Sequence, residues 1–278
     1  MVKPAFSSVS CPEWPFERIL AAAGEWGYER VELRTFGDGS RGFASEPALT
    51  GPDKIRLMVR ESGIEIACAA TGLRFDDPIR PPLLGLVIGD QERSVRQAKD
   101  TIDLASSIEC PLVRVFAFEF GSDSRAAATR RIASRLAMVL DHARNTGVRV
   151  VVENAGSFAT ATHLAALLDA VDHPLLGAAY SSAVAHAAGE DPAIGINVLG
   201  DRLWLARLRD LRKGRPCLIG DGDLPCRPFV EALAASGFSG PLLIDWDRAW
   251  IPGLEDPENI LPAALARLYN WVGAPATA

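Results

Sequence analysis

Cysteine is scarce and dispersed in this chain of 278 residues. The cysteines lie far apart and form no C-x-x-C pair; they are Cys11, Cys68, Cys110, Cys217 and Cys226. An odd number of isolated cysteines argues against a disulfide framework and against a cysteine-rich zinc site. The pattern is typical of the reducing cytoplasm, which is the location that we expect.

Long hydrophobic runs and charge of a single sign are also missing. No stretch of about 18 apolar residues occurs, and the opening MVKPAFSSVSCPEW lacks the apolar core of a secretion signal. The formal net charge of -6 is modest, and the Lys and Arg residues are scattered. We therefore expect neither a membrane nor a nucleic acid as a partner, but a small polar substrate and, as a further partner, a second copy in a homodimer.

Short β-branched apolar runs alternate eight times with longer amphipathic stretches. The predicted strands are 5–9, 30–34, 65–69, 112–116, 149–153, 176–180, 203–208 and 242–246. The predicted helices are 15–26, 52–62, 91–107, 124–146, 161–170, 192–199, 227–236 and 258–272. Glycines at 27, 63, 147 and 237 follow helical runs, where a left-handed residue often ends a helix.

This alternation predicts a single (β/α)8 barrel, a TIM barrel, over residues 1–278. Near-continuous apolar strands such as RVVVE are typical of a parallel sheet that is buried on both faces. A doubly wound open sheet is the alternative, but it should carry a glycine-rich phosphate loop after its first strand, and SSVSCPEW is not one. In a barrel the functional groups lie at the carboxyl ends of the strands.

Several segments along the chain resemble a known family. They are FSSVSCPEWPFERILAAAGEWGYERVELR near the start, LVRVF, VVVEN, AGEDP, IGDGDLP and GFSGPLLIDWD. Together they resemble the sugar phosphate isomerases and epimerases with a xylose-isomerase-like barrel, a group that also includes apurinic endonucleases of the endonuclease IV type. The resemblance spans essentially the whole chain and implies the same barrel.

The resemblance also implies a divalent ion, held by a glutamate, an aspartate, a histidine and a glutamate at the ends of strands five to eight. Glu153 matches the first ligand, but Ser181 replaces the aspartate, Arg207 the histidine and Asp245 the second glutamate. Arginine cannot lose its proton to become a ligand, and like unit charges 4 Å apart repel by about 4 kcal/mol at an effective dielectric of 20. We therefore expect neither a metal nor another cofactor.

Two interpretations of these strand ends remain open. In one, Arg207 stands in for the ion, pairs with Glu153 and Asp245, and presents its remaining donors to a substrate oxygen. In the other, the same groups form a structural ion-pair network in a barrel that has lost its catalysis. The further candidates for substrate binding are Arg34, Arg114, Glu119, Asn154, Ser181, Arg209 and Trp246.

Four of these candidates have a structural alternative. Arg34 and Arg114 could form ordinary salt bridges at the barrel rim, and Glu119 could be a solvated loop residue. Of Trp246 and Asp247, which follow the strand-eight carboxylate, one is expected only to pack.

For function, the resemblance implies proton abstraction next to a carbonyl group. Glu153 and Asp245 would act from opposite sides of a sugar-like substrate while Arg207 stabilises the enediolate, without metal, in an isomerase or epimerase. A lyase, dehydratase or cyclase on the same scaffold is one alternative, and a non-catalytic barrel that binds a small ligand or a partner is another. The endonuclease activity requires a histidine-rich cluster of three zinc ions that this sequence does not contain.

Overall fold

The computed structural model describes residues 2–35, 42–76, 93–120 and 124–273. Its barrel strands are β1 (Lys3–Ser7), β2 (Arg30–Arg34), β3 (Glu65–Arg74), β4 (Leu112–Phe116), β5 (Arg149–Glu153), β6 (Leu176–Ser181), β7 (Leu203–Leu208) and β10 (Pro241–Ile244). An antiparallel hairpin, β8 (Asp210–Arg212) and β9 (Arg215–Cys217), follows β7. The eight parallel strands close in the order β1-β10-β7-β6-β5-β4-β3-β2, which confirms the predicted barrel.

Helices surround this barrel. They are α1 (Phe16–Trp26), α2 (Pro47–Thr50), α3 (Pro52–Ser62), α4 (Arg93–Ser107), α5 (Arg125–Ala143), α6 (Ala161–Val171), α7 (Ser182–Ala187), α8 (Pro192–Leu199), α9 (Cys226–Ala235) and α10 (Pro257–Val272). Gly27 and Gly63 end α1 and α3 in the left-handed conformation, as predicted. Within the described ranges, no helix is long and apolar enough to cross a membrane.

Some predicted boundaries are wrong. The first strand ends at Ser7 rather than residue 9, because the Ser7 hydroxyl accepts the N–H of Val9 and starts a 3₁₀ turn. Strand β3 continues five residues beyond its predicted end, and α5 ends at Ala143 rather than residue 146. Residues 91 and 92 of the third predicted helix lie outside the described residues. The short helices α2 and α7 and the hairpin have too few residues to show a period.

Alternate residues of each strand face the inside of the barrel. Along this inward face, apolar residues come first and polar residues follow at the carboxyl ends of the strands. A small apolar cluster fills the interior of the barrel, made of Ala5, Ala67, Cys68, Leu112, Val151, Ala179, Leu205 and Leu243. Two positions further along the respective strands come residues of the polar end, namely Arg114, Glu153, Ser181, Arg207 and Asp245. These residues therefore share the inward face, and the sequence pattern that builds the core also builds the site.

Candidate active site

The Arg207 side chain lies at the centre of a buried ion-pair network. Its Nη2 donates to Oδ1 of Asp245 at 2.6 Å, and its Nε donates to Oδ2 of the same carboxylate at 3.2 Å. Its Nη1 donates to Oε2 of Glu32 at 2.8 Å, and its Nε lies 3.6 Å from Oε2 of Glu153. Burial alone would lower the pKa of Arg207, but the carboxylates of Asp245, Glu153 and Glu32 outweigh it and raise that pKa well above its usual value. Arg207 is therefore a permanent cation.

Glu32 belongs to this network although the sequence analysis did not single it out. Its side chain is completely buried on β2, and its Oε2 accepts from Arg207 and lies 3.9 Å from Nε of Arg114. Its Oε1 has no donor in the described part of the chain. The segment VELR carried the signal, because Glu32 precedes Arg34 by two residues and so shares its inward face.

Arg114 supplies a second cation from β4. Its Nη1 forms an ion pair with Oε2 of Glu153, and its Nη2 lies 3.4 Å from the carbonyl oxygen of Thr71. Its guanidinium carbon lies 4.8 Å from the centre of the Phe116 ring. The Glu153 oxygen that faces Arg207 is thus the same one that binds Arg114, and Glu153 has a cation on each side.

Arg209 and Asp247 extend the network toward solvent. Nη2 of Arg209 lies 3.4 Å from Oδ2 of Asp245 and 2.5 Å from Oδ2 of Asp247. The Arg209 side chain is 29% exposed and that of Asp247 is 14% exposed. Burial raises the pKa of Asp247, and the nearby Asp245 and Glu153 add to this effect, which together outweigh Arg209 and Arg207.

Arg34 lies at the end of β2, at the same end of the barrel as the ion-pair network. Its guanidinium carbon lies 5.7 Å from the Trp250 ring centre, and a Cβ on Gly72 would come within 2.7 Å of its Nη2. Glycine at position 72 therefore leaves room for this side chain. Burial and the neighbouring Arg114 lower the pKa of Arg34 to about 10, so that it stays protonated at neutral pH.

Asn154 and Ser181 connect two strand ends. The Asn154 Nδ2 donates to the carbonyl oxygens of Ala159 and Ser181 at 2.9 and 3.1 Å, and its Oδ1 accepts the N–H of Ser181 at 2.6 Å. Since both N–H groups of the amide are engaged, Asn154 fixes β5 against β6. Ser181 is buried at the inward end of β6, where the family resemblance implies an aspartate.

Glu119 and Trp246 lie apart from the charged network. Glu119 is exposed, and its Oε2 accepts from the hydroxyl of Ser157 at 2.9 Å. The Trp246 indole packs in the core outside the barrel and donates to the carbonyl oxygen of Glu255 at 2.8 Å. Of the pair that follows Asp245, the structure thus places Asp247 at the network and Trp246 in the packing.

The AGEDP segment connects strand β6 to neighbouring helices through Glu190. Glu190 accepts the N–H of Ala161, at the start of α6, with oxygens at 2.9 and 3.1 Å, and it accepts the Tyr180 hydroxyl at 2.5 Å. A Cβ on Gly195 would collide with the Tyr180 ring. This motif therefore positions β6 and two helices.

The GDGD loop folds around a carboxylate of its own chain. Asp210 accepts the backbone N–H groups of Gly220 at 2.7 Å, Gly222 at 2.9 Å and Leu224 at 3.1 Å. A Cβ on Gly222 would collide with that carboxylate. Since Asp210 occupies these backbone donors, they are not available to bind a phosphate.

The residues present do not fit the divalent ion that the family resemblance implies. Arg207 lies between the carboxylates that would have to bind the ion. The Ser181 hydroxyl also stands where the resemblance implies a carboxylate ligand. Over the four described ranges, no group of three or more His, Cys, Asp or Glu side chains is arranged to hold a metal. The network instead balances four guanidinium groups, on Arg34, Arg114, Arg207 and Arg209, against four carboxyl groups, on Glu32, Glu153, Asp245 and Asp247.

Comparison with known proteins agrees with this fold. The model of the xylose isomerase-like TIM barrel family matches residues 20–271. No curated protein matches the chain significantly.

Solved structures with the same fold share little sequence with this chain. An L-ribulose 3-epimerase superposes with a TM-score of 0.81 at 16% identity, over 98% of this chain and 95% of its own. A probable 3-DHS dehydratase from Bacillus anthracis, involved in petrobactin synthesis, gives 0.77 at 16% identity, over 97% and 99%. A xylose isomerase-like TIM barrel/4-hydroxyphenylpyruvate dioxygenase fusion protein gives a TM-score of 0.78 at 18% identity. The match covers 98% of this chain but only 43% of that protein.

Proposed function

Because this chain belongs to the xylose isomerase-like TIM barrel family, we propose that it is a metal-independent isomerase or epimerase acting on a small, sugar-like carbonyl compound. The observation that carries the proposal is the position of Arg207, which is held by Asp245, Glu32 and Glu153 where the resemblance implies a divalent ion. A guanidinium there supplies positive charge for a developing enediolate, although it lacks the Lewis acidity of a metal.

Glu153 is the proposed group that removes the proton. Its side chain is 10% exposed, whereas those of Asp245 and Glu32 are 2% and 0% exposed. Of the three carboxylates around Arg207 it is the one that a bound molecule reaches most readily. The C–H bond next to the carbonyl breaks, its proton passes to a Glu153 oxygen, and its electron pair moves onto the carbonyl oxygen.

Arg207 is proposed to bind that oxygen. A guanidinium has five N–H donors, and the hydrogen bonds of Arg207 to Asp245 and Glu32 use one each on Nε, Nη1 and Nη2. The second hydrogens on Nη1 and Nη2 have no acceptor in the described part of the protein, and they can bind a substrate oxygen as it becomes negative.

Asp245 is the proposed second carboxylate. Strands β5 and β10 are separated by β6 and β7 in the barrel, so Glu153 and Asp245 approach Arg207 from different sides. In one direction of an epimerisation Asp245 starts protonated and delivers its proton while Glu153 takes one; in the reverse direction the two exchange roles.

Two other functions fit the same residues. A dehydratase would use Glu153 to remove the same proton and would then expel a neighbouring hydroxyl; one structural neighbour is named as a probable dehydratase. A non-catalytic ligand-binding barrel is favoured by the charge balance of the network, since every carboxylate in it contacts an arginine.

Exchange of solvent deuterium separates these functions. The protein is incubated in D2O with a panel of ketoses and 2-keto acids, and each compound is followed by proton NMR. We expect loss of the proton next to the carbonyl in at least one ketose, together with conversion to its isomer. Exchange with loss of water would identify the dehydratase, and the absence of exchange across the panel, with binding retained, would contradict the proposed enzyme.

A further inference from the structure

A cavity of about 610 Å³ lies at the end of the barrel opposite to the ion-pair network, where the strands begin. Its wall includes the first residues of six barrel strands: Lys3, Arg30, Leu112, Arg149, Leu203 and Pro241. Ala67 and Leu112 belong to the apolar cluster that fills the barrel and separates this cavity from the ion-pair network. The volume is that of a site for a small organic molecule.

Three cationic side chains line this cavity from opposite sides. Lys3 on β1 and Arg30 on β2 are on neighbouring strands, whereas Arg149 on β5 is four strands from β1 in a ring of eight. Glu65 forms an ion pair with Arg30 but does not line the cavity, and the acidic residue in the wall is Asp201. The cavity is thus positive in a protein whose formal net charge is -6, and this favours an anionic ligand.

The aromatic wall of the cavity is fixed before any ligand binds. The guanidinium carbon of Arg149 lies 4.4 Å from the centre of the Trp204 ring. The indole Nε1 donates to the carbonyl oxygen of Asp201 at 3.0 Å, and a Cβ on Gly177 would collide with the ring. Trp204 therefore holds Arg149 in place at the cavity, which reduces the entropy that the arginine loses on binding a ligand.

From this geometry we propose that the cavity binds a small organic phosphate with two or more negative charges. Arg149 and Lys3 would bind it from opposite sides, with Arg30 beside Lys3. The planar guanidinium fork of arginine matches the oxygens of a phosphate, and the hydroxyl of Ser239, which also lines the cavity, adds a donor. This site is separate from the proposed active site and does not depend on the proposed function.

Inorganic pyrophosphate is the probe that tests the proposal. We expect saturating pyrophosphate to raise the Tm of the parent by about 2–4 °C or more, and calorimetry to show one site per chain. Arg149→Gln and Lys3→Gln should each weaken binding by about tenfold or more, because each removes one charge-assisted contact. Arg60→Gln is the matched control, since it removes the same charge from an exposed arginine that pairs with Glu109 elsewhere on the surface.

The other outcomes overturn the proposal. If pyrophosphate does not shift the Tm, the proposal is wrong. The proposal is also wrong if Arg60→Gln weakens pyrophosphate binding as much as the other two variants do, because binding would then depend on the net charge alone. Tight binding that Arg149→Gln and Lys3→Gln leave unchanged would place the anion elsewhere, for instance at the arginines of the ion-pair network. Citrate is tested in parallel, and equal affinity for citrate with the same response to both variants would contradict the preference for phosphate.

Discussion

Arg207 binds both oxygens of Asp245, with Nη2 to Oδ1 at 2.6 Å and Nε to Oδ2 at 3.2 Å. This two-point pair comes from adjacent strands, β7 and β10, and both side chains are buried. A guanidinium held in this way cannot leave to admit a divalent ion without exposing the carboxylate or leaving it unpaired. The arginine and the carboxylates therefore form one unit, and replacing one member removes an ion-pair partner from the others.

Replacing Arg207 should strongly destabilise the fold. Arg207→Met leaves the buried carboxylates of Asp245 and Glu32 without their main cation, and loss of one partner of a buried ion pair costs about 3–5 kcal/mol. Urea unfolding of the variant and the parent at pH 7 measures the loss.

Arg202→Met is the control for that measurement. Arg202 pairs with Asp169 on the surface, where 38% and 69% of the two side chains are exposed, and such pairs contribute about 0–1 kcal/mol. An Arg207→Met variant that loses no more stability than Arg202→Met would contradict the network described above.

Glu153→Gln tests the proposed base. The change keeps the shape of the side chain and removes its basic oxygen, so deuterium exchange should fall by about 100-fold or more. Glu119→Gln is the matched control, because Glu119 is exposed in a loop and contacts Ser157, and exchange should stay at the parental rate. A Glu153→Gln variant that is clearly less stable but exchanges at the parental rate would assign Glu153 to structure alone.

The barrel and most of its strand ends could be predicted from the sequence. The spacing of apolar residues within each short segment indicates both the strand and its inward face. The pattern RVVVE predicted both the strand and the inward Glu153, and LWLARL did the same for Arg207. Glu32 was missed because a charged residue inside a strand is ordinarily solvated; only closure of the barrel brings β2 within reach of β7. The alternation in VELR places Glu32 on the inward face, but the separation of 175 residues between Glu32 and Arg207 leaves no local signal that these two side chains meet.

The roles of neighbouring residues were harder to predict than their positions. Trp246 and Asp247 follow the same strand, and which of them faces the network depends on where β10 ends. Asn154 belongs to a family motif, yet its amide binds backbone atoms of its own chain. Hydrogen bonds of this kind depend on tertiary structure, which the sequence pattern does not contain.

Asp247 should make stability depend on pH. Its pKa is raised in the folded protein, so the folded state holds the proton more tightly than the unfolded state does. This contribution to stability is full below the unfolded pKa of about 3.9 and is lost as the pH rises through the folded pKa. Asp247→Asn removes the titration, so the stability of the variant relative to the parent should improve between pH 4 and pH 7, as measured by urea unfolding. A constant difference between the two proteins would contradict the raised pKa.

Restoring two ligands should create a metal site. Ser181→Asp combined with Arg207→His removes the central cation and adds a carboxylate and an imidazole to Glu153 and Asp245. The four groups then resemble the ligand set that the family resemblance implies, with Asp245 in place of the second glutamate. Calorimetry should detect manganese binding by the double variant. The control is Ser181→Asp alone, which keeps Arg207 and should bind none; equal behaviour of the two variants would contradict the inferred strand-end geometry.

The metal content of the parent protein shows whether Arg207 occupies the place of the ion. Protein purified without chelator is assayed for Mn, Mg, Co and Zn by elemental analysis, and its Tm and deuterium exchange are measured with and without EDTA. We expect well below one divalent ion per chain and no effect of EDTA on the Tm or on the exchange. Close to one ion per chain, lost on Glu153→Gln and accompanied by a lower Tm in EDTA, would contradict this expectation.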